Sequence, residues 1–219
     1  MEHLTKSRVN GSMINYYLEG LQTTLVLFGV SLIGSILLSF ILLYLYQNKI
    51  IAFFLKFYIY VMRATPLLLQ IIFIFFGLPF FGIVLDRWLA ACLAFILNYA
   101  AYFVEILRGG VQSIDKGQKE VASVLGLSKL FTFRMILLPQ AIINTFTAIS
   151  NEILTLIKDT ALISIVGLSD LLKVSRSLVN ATATIIPFIL VGIIYLIMNA
   201  MLTLLLSLIE KRLLAQKGI

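Results

Sequence analysis

Five long stretches of this 219-residue chain contain no Asp, Glu, Lys or Arg, and they decide what it can fold into. They cover residues 20–48, 64–85, 88–104, 135–151 and 177–209, the last with an apolar core at 185–209. A helix crosses the hydrocarbon core of a bilayer with about 20 mostly apolar residues, or as few as about 17. Inside lipid, only helices and closed barrels satisfy their own backbone hydrogen bonds. The expected fold class is therefore all-α: an integral membrane helical bundle of five spans, forming one unit over residues 1–219. Composition agrees, with 61% hydrophobic and 12% charged residues, against roughly 45–50% and about 25% in soluble domains. An ordinary soluble domain, a disordered chain and a nucleic-acid-binding module are excluded, so the expected surroundings are membrane lipid and no nucleic acid. A sixth charge-free stretch, 160–169, is too short to span and suits a re-entrant or interfacial piece. The first stretch is about twice as long as a signal-peptide core and ends in Tyr44-Leu45-Tyr46-Gln47-Asn48, which reads as an interfacial belt and not a cleavage site.

The net charge of +7 serves as a topology signal. Lys49, Lys56, Arg63, Arg108, Lys116, Lys119, Lys129, Arg134, Lys211, Arg212 and Lys217 fall on one side of a five-span chain. Only Lys6, Arg8, Arg87, Lys158, Lys173 and Arg176 fall on the other. The positive-inside rule places the richer side in the cytoplasm, with the N-terminus out and the C-terminus in. One cysteine, Cys92, excludes an internal disulfide framework. One histidine, His3, argues against a His-based metal site or a Ser/His catalytic site, so no catalytic or metal-binding residue is expected. The sequence contains no Gly-x-x-x-x-Gly-Lys-[Ser/Thr]. If ATP drives this protein, the ATPase is another chain.

The largest cytoplasmic segment, about 105–134, is too small for a catalytic domain. Within it Asp115 is a plausible N-cap, and Val121, Val124, Leu125 and Ser128 share one mostly apolar face of a short helix. Gly126 allows a close backbone approach or a sharp bend. Such a helix either lies on the lipid surface or fits a groove on a partner protein.

Here the residues resemble a known family. Glu120, Ala122 and Gly126, followed after nine residues by Ile136, Leu138 and Pro139, resemble the Glu-Ala-Ala-x-x-x-Gly-x9-Ile-x-Leu-Pro motif of ABC importer permeases, with Val121 in place of an Ala. Arg63-Ala64-Thr65-Pro66-Leu67 resembles the Arg-Gly-Thr-Pro-Leu stretch of the polar amino acid branch, and Lys158-Asp159-Thr160-Ala161-Leu162 its Lys-Asp-Thr-Ser-Leu stretch. The likeness runs over about 17–211. It implies a permease subunit of the histidine, glutamine or arginine type in the bacterial plasma (inner) membrane. Residues 115–128 would form the coupling helix, with Glu120, Val121, Ala122, Val124, Leu125, Gly126 and Leu127 docking into the ATPase. The implied partners are a second permease copy or paralogue, two ABC ATPase subunits that bind ATP and Mg, an extracytoplasmic substrate-binding protein and a polar or cationic amino acid. This chain would bind no cofactor and hydrolyse nothing itself, while the assembled complex would be an ATP-hydrolysing translocase.

Charged groups within a span cost roughly 2.5–3.5 kcal/mol on insertion scales and ask for a reason. Ala141, Thr145, Ala148, Glu152, Thr155 and Asp159 share one helical face, every member small or polar, with Thr145 and Asp159 about 21 Å apart. Ala90, Ala94, Asn98, Ala101 and Glu105 form a related stripe in the third span. Asn98, Thr145, Ala148, Glu152, Thr155 and Asp159 are the candidate pathway residues. For Asn98, packing outweighs substrate contact. For Glu152, an anionic wall that meets an ammonium group stands beside an ordinary ion pair. Asp159 reads first as structural. Arg63 is either a gate or an interfacial anchor. Ser31, Ser35 and Ser39, and likewise Asn199, Thr203 and Ser207, read as packing faces, and Phe73, Phe75, Phe76, Phe80 and Phe81 as lipid contact. The rival readings are a stand-alone secondary transporter or channel and a structural subunit with no pathway.

Overall fold

The computed structural model describes the backbone of residues 2–216 and the side chains of 13–215. The side chains of His3, Lys6, Arg8 and Lys217, used above, lie outside the described residues. Among those described, every element is helical. In chain order they are α1 (Glu2–Leu45), α2 (Lys49–Ala64), α3 (Leu67–Ile72), α4 (Arg87–Gln112), α5 (Lys116–Val124), α6 (Lys129–Phe131), α7 (Leu138–Asp159), α8 (Leu171–Thr182) and α9 (Ile186–Gln216). Short π segments at Phe73–Gly77 and Thr132–Leu137 and 3-10 segments at Leu78–Phe81 and Thr160–Val166 join them.

Among the described residues, three stretches are long and apolar enough to cross a membrane: Met13–Leu45, Arg87–Gln112 and Ile186–Ala215. A fourth crossing arises if α2 and the helical run Leu67–Phe81, bent 106° apart, count as one. Within the expected second span over 64–85 the helical run Leu67–Phe81 is too short to count as a crossing alone, and the break that sets it off from α2 lies at the start of the stretch. The cause is Pro66, which lacks an N–H and drives the preceding residue out of the helical region. Thr65 is extended at φ −112° and ψ 141°. Helix α7 also falls outside the three, because Asn, Gln, Glu and Asp dilute its apolar residues.

Pro79 and Pro139 act more gently. Each removes one helical donor, and each follows a π turn in which the next N–H reaches back five residues: Leu78 to the Phe73 carbonyl and Leu138 to the Phe133 carbonyl. The widened turn carries the helix past the proline without a break.

Helix α4 is the centre of the bundle, with α1 packed on one side and α7 on another. Its stripe of Ala90, Ala94 and Ala101 is fully buried, which lets neighbouring backbones approach closely. Phe95, Tyr99 and Phe103 fill the space beside it and are also buried. From α1, Ser31, Ser35 and Ser39 are all buried, and the last two return their hydroxyls to the Leu32 and Ile36 carbonyls at 3.1 and 2.7 Å. The 160–166 segment buries Thr160, Ile163 and Val166 and packs on α3 and α8. By contrast, only 11% of the most apolar window of α9 is buried, so this helix presents its side chains outward.

Helix α4 comes close to α7 at Gly110. A Cβ there would lie 2.7 Å from the Ala141 carbonyl oxygen and 2.8 Å from Thr145 Cγ2, whereas one at Gly109 would meet nothing within 4 Å. Gly110→Ala should therefore destabilise the purified protein by about 1–3 kcal/mol through overpacking. Gly109→Ala should be neutral or stabilising by about 0.5–1 kcal/mol, since alanine is the better helix former. Thermal unfolding in detergent compares the two, and equal melting temperatures would contradict the packing.

Candidate functional site

The break at Pro66 would strand polar backbone in a chain with little water to offer, and two amide side chains take it up. Gln70 donates from Nε2 to the Met62 carbonyl at 2.9 Å, to the Thr65 carbonyl at 3.2 Å and to Thr65 Oγ1 at 2.8 Å. Asn98 of α4, 4% exposed, donates from Nδ2 to the same Met62 carbonyl at 3.0 Å and to Gln70 Oε1 at 3.1 Å. Asn98 thereby locks the α2–α3 corner onto α4.

That corner forms one wall of a polar cavity of about 450 Å³. Arg63 and Thr65–Pro66 come from the corner, Asn98, Tyr99 and Tyr102 from α4, and Glu152, Thr155 and Asp159 from α7. Five of the sequence-derived candidates thus meet here: Arg63, Asn98, Glu152, Thr155 and Asp159. Thr145 and Ala148, on the same stripe, do not line the cavity. Thr145 lies against Gly110 and returns its hydroxyl to the Ala141 carbonyl at 2.7 Å, and Ala148 is exposed.

The charges in the cavity are held differently. Asp159 accepts a 2.8 Å hydrogen bond from the hydroxyl of the buried Tyr99. Arg63 lies 3.8 Å from Glu105 and 5.4 Å from the centre of the Tyr102 ring, an arrangement of ion pair and cation–π contact. Glu105 is also held by Arg108 Nε at 2.9 Å. Among the described residues Glu152 makes no hydrogen bond or ion pair, although it lines the same cavity as Arg63 and Asp159. Tyr99, Tyr102 and Gln70 were missed in the sequence. Tyr99 and Tyr102 flank the α4 stripe at helical spacing, which was the available signal.

At the other end of α7 sits α5. Asp115 caps it, accepting from the Gly117 N–H at 3.1 Å. Its C-terminus closes with Gly126 at φ +70° and a Leu127 N–H bond to the Ala122 carbonyl at 3.0 Å, a left-handed stop that favours glycine. A Cβ on Gly126 would meet nothing within 4 Å, so the bend, not a close approach, calls for glycine there. Ala122 is buried, while Glu120, Val121, Val124 and Leu125 are exposed, the valine at 124 by 88%. The position where Val121 replaces the motif's alanine therefore faces outward and has room for the larger side chain. Leu127 turns back toward the protein. A further link escaped the sequence reading: Gln118 of α5 and Gln140 of α7 exchange amide hydrogen bonds at 3.1 and 2.7 Å.

Comparison with known proteins identifies the family and the fold. The family model for the binding-protein-dependent transport system inner membrane component matches residues 31–215. The arginine transport system permease protein ArtQ of Bacillus subtilis (strain 168) is 38% identical over 204 residues, covering 91% of this chain and 93% of that protein. The nopaline transport system permease protein NocM of Agrobacterium fabrum (strain C58 / ATCC 33970) is 35% identical over 206 residues, covering 88% and 86%. The crystal structure of an amino acid ABC transporter with histidines superposes with a TM-score of 0.82 at 32% identity, covering 94% of this chain and 97% of that one. A chain of the MetNI methionine transporter in an inward-facing conformation superposes at 0.76 with 16% identity, covering 92% and 98%, and shows the same fold.

The Gln118–Gln140 exchange sets a double-mutant test. Gln118→Leu or Gln140→Leu alone leaves a half-buried amide without its partner, at a cost of about 1–3 kcal/mol. The double replacement should cost less than the two singles together, with a coupling of about 0.5–3 kcal/mol. Thermal unfolding of the four proteins measures it, and strict additivity would contradict the exchange.

Proposed function

The chain belongs to the family of binding-protein-dependent transport system inner membrane components, and from that premise we propose that it forms the membrane pathway of an ATP-driven importer for polar amino acids. The observation that carries the reading is the convergence of Arg63, Asn98, Glu152, Thr155 and Asp159 on one cavity between α4 and α7. Arg63 offers a cation to a substrate carboxylate, and Glu152, with its carboxylate unpaired, offers an anion to an ammonium group or a cationic side chain. Thr155 adds a hydroxyl. Asp159, held by Tyr99, shapes the wall. The relatives named for arginine, glutamine and nopaline transport favour a substrate of this chemistry.

In this proposal five crossings are made by α1, the bent α2–α3 pair, α4, α7 and α9, with the N-terminus out and the C-terminus and α5 in the cytoplasm. Apart from Lys56 and Arg63, which lie within the bent pair, the Lys and Arg distribution supports that orientation. Partner ATPase subunits bind ATP and Mg, and their approach moves α5 through Glu120, Val121, Val124 and Leu125. The motion reaches α7 through Ala122, the Leu127 turn and the Gln118–Gln140 exchange. A second copy or paralogue completes the pathway, and an extracytoplasmic binding protein delivers the substrate. ATP and substrate drive the exchange of inward and outward states only by binding those states with different affinity.

Glu152→Gln should reduce uptake of arginine or lysine about 10–100-fold in half-saturating concentration, the scale of a charged hydrogen bond, and should affect glutamine uptake less. Competition for radiolabelled uptake into vesicles reads the difference, and equal losses for all three substrates would remove Glu152 from the cationic contact. Val124→Asp/Leu125→Asp should abolish uptake without impairing membrane insertion, because it charges the apolar face offered to the partner. Copurification of a stoichiometric P-loop ATPase, lost with that variant, checks the docking. Undiminished uptake by the variant would overturn it.

A further inference from the structure

A second cavity, of about 580 Å³, opens at the opposite end of α4 from the Asp86 cap, where α1 and α4 both end and the α5–α6 segment begins. Leu43, Phe133 and Leu137 give it apolar walls, and Arg108, Lys119 and Lys129 bring three cations to it. No acidic side chain lines it. Arg108 is neutralised by Glu105, and its guanidinium lies 5.7 Å from the centre of the Tyr46 ring. The Lys119 and Lys129 ammonium groups form no ion pair or hydrogen bond among the described residues. Both lysines are exposed and line the cavity with no acidic partner among the described residues.

Its depth is fixed by the helices that frame it. Leu43 is in the last turn of the apolar stretch Met13–Leu45, and Arg108 is in the last turns of Arg87–Gln112. Both stretches leave the hydrocarbon there, with Tyr46 at belt level. Basic pockets between membrane helices at this depth hold phosphate headgroups. We propose that this cavity binds the phosphate of one anionic glycerophospholipid, with its phosphodiester between Lys119 and Lys129 and the start of an acyl chain along Leu43 and Phe133. A soluble phosphate ester would leave the apolar walls uncovered. A zwitterionic choline lipid would bring its own cation to the two lysines. The bound lipid would brace α5, since Lys119 and Ser123 reach the cavity from the inner side of that helix while Val121, Val124 and Leu125 point away.

The test uses the permease purified with its ATPase partners and titrated with dioleoylphosphatidylglycerol, the bound fraction read by native mass spectrometry. The wild type should retain one lipid per permease saturably, and dioleoylphosphatidylcholine should not replace it. Lys119→Gln/Lys129→Gln should raise the half-saturating concentration about 30-fold, at about one headgroup interaction per lysine. Lys49→Gln/Lys56→Gln removes the same charge from exposed positions outside the cavity and should change it less than about twofold. Lys119→Arg/Lys129→Arg, which keeps the charge, should restore retention and guards against a folding defect. Equal weakening by both glutamine pairs would reduce the effect to diffuse surface charge and overturn the proposal. Unchanged retention in the cavity pair would overturn it too. Competition by glycerophosphoglycerol at matched phosphate would assign the site to a soluble ester instead.

Discussion

Everything around the polar cavity depends on how a broken helix is held in a chain built for lipid. A backbone carbonyl with no partner costs several kcal/mol where water is scarce. The Thr65–Pro66 break frees such groups. One carbonyl, that of Met62, takes two donors, Gln70 and Asn98. The corner that results carries Arg63, Thr65 and Pro66 to the cavity wall. The two amides satisfy the corner where it breaks, while the Tyr58 hydroxyl on the Leu97 carbonyl and the burial of Ile59, Leu67 and Ile71 against α4 hold its arms, so that Arg63 shares a cavity with Glu152 and Asp159. Asn98 therefore acts as a fastening for the site while also standing in its wall, which is why packing and contact are not exclusive roles for it.

Helix α7 connects the cavity with α5. From Gln140 to Glu152 the helix rises about 18 Å, with no glycine or proline between them. Ala141 and Thr145, next to Gly110, hold its first half close to α4, and Leu156 and Ile157 bury its second half in the core. A helix fixed at both ends in this way transmits displacement and not flexure. The π turn at Thr132–Leu137 lies just before it, next to Pro139, which removes one helical donor. Under the proposed function the Gln118–Gln140 exchange passes the motion of α5 to the helix that bears Glu152.

Much of this was legible in the sequence for one reason: charge is so costly in lipid that its absence marks helices and its presence marks sites. The stripe on α7 and the one on α4 were found by spacing alone, and Asn98 from the one and Glu152, Thr155 and Asp159 from the other line the same cavity. Composition could not divide the α7 stripe into a packing half, Ala141 and Thr145, and a cavity half, Glu152 to Asp159, because that division depends on where Gly110 and the Pro66 corner lie in space. The charge-free stretch 64–85 does not show that its helix starts only after Pro66, because hydropathy averages over a window whereas one proline acts at one bond. The Gln118–Gln140 exchange joins residues on two helices and has no periodic signature in either. Tyr99 was lost among many aromatics, since nothing in an aromatic run says which hydroxyl will meet a carboxylate.

The three carboxylates near the site separate by partnership. Glu105 has two guanidinium partners, Arg63 and Arg108, and Asp159 has the Tyr99 hydroxyl. Glu152 has no hydrogen bond or ion pair among the described residues and is only half-buried. A structural carboxylate in a membrane helix is stabilised by a permanent partner, as the first two are. A carboxylate that meets a mobile cation must instead remain accessible and weakly satisfied when the cation is absent, because a permanent partner would compete with the ligand for the same lone pairs. Glu152 is the one of the three that meets this condition. The same reasoning separates Arg63 from Arg108. Arg63 is 43% exposed in its side chain with Glu105 at 3.8 Å, whereas Arg108 is 28% exposed and doubly bonded to the same carboxylate. Arg63 can be drawn from its contact toward an incoming anion at small cost, while Arg108 keeps Glu105 in place.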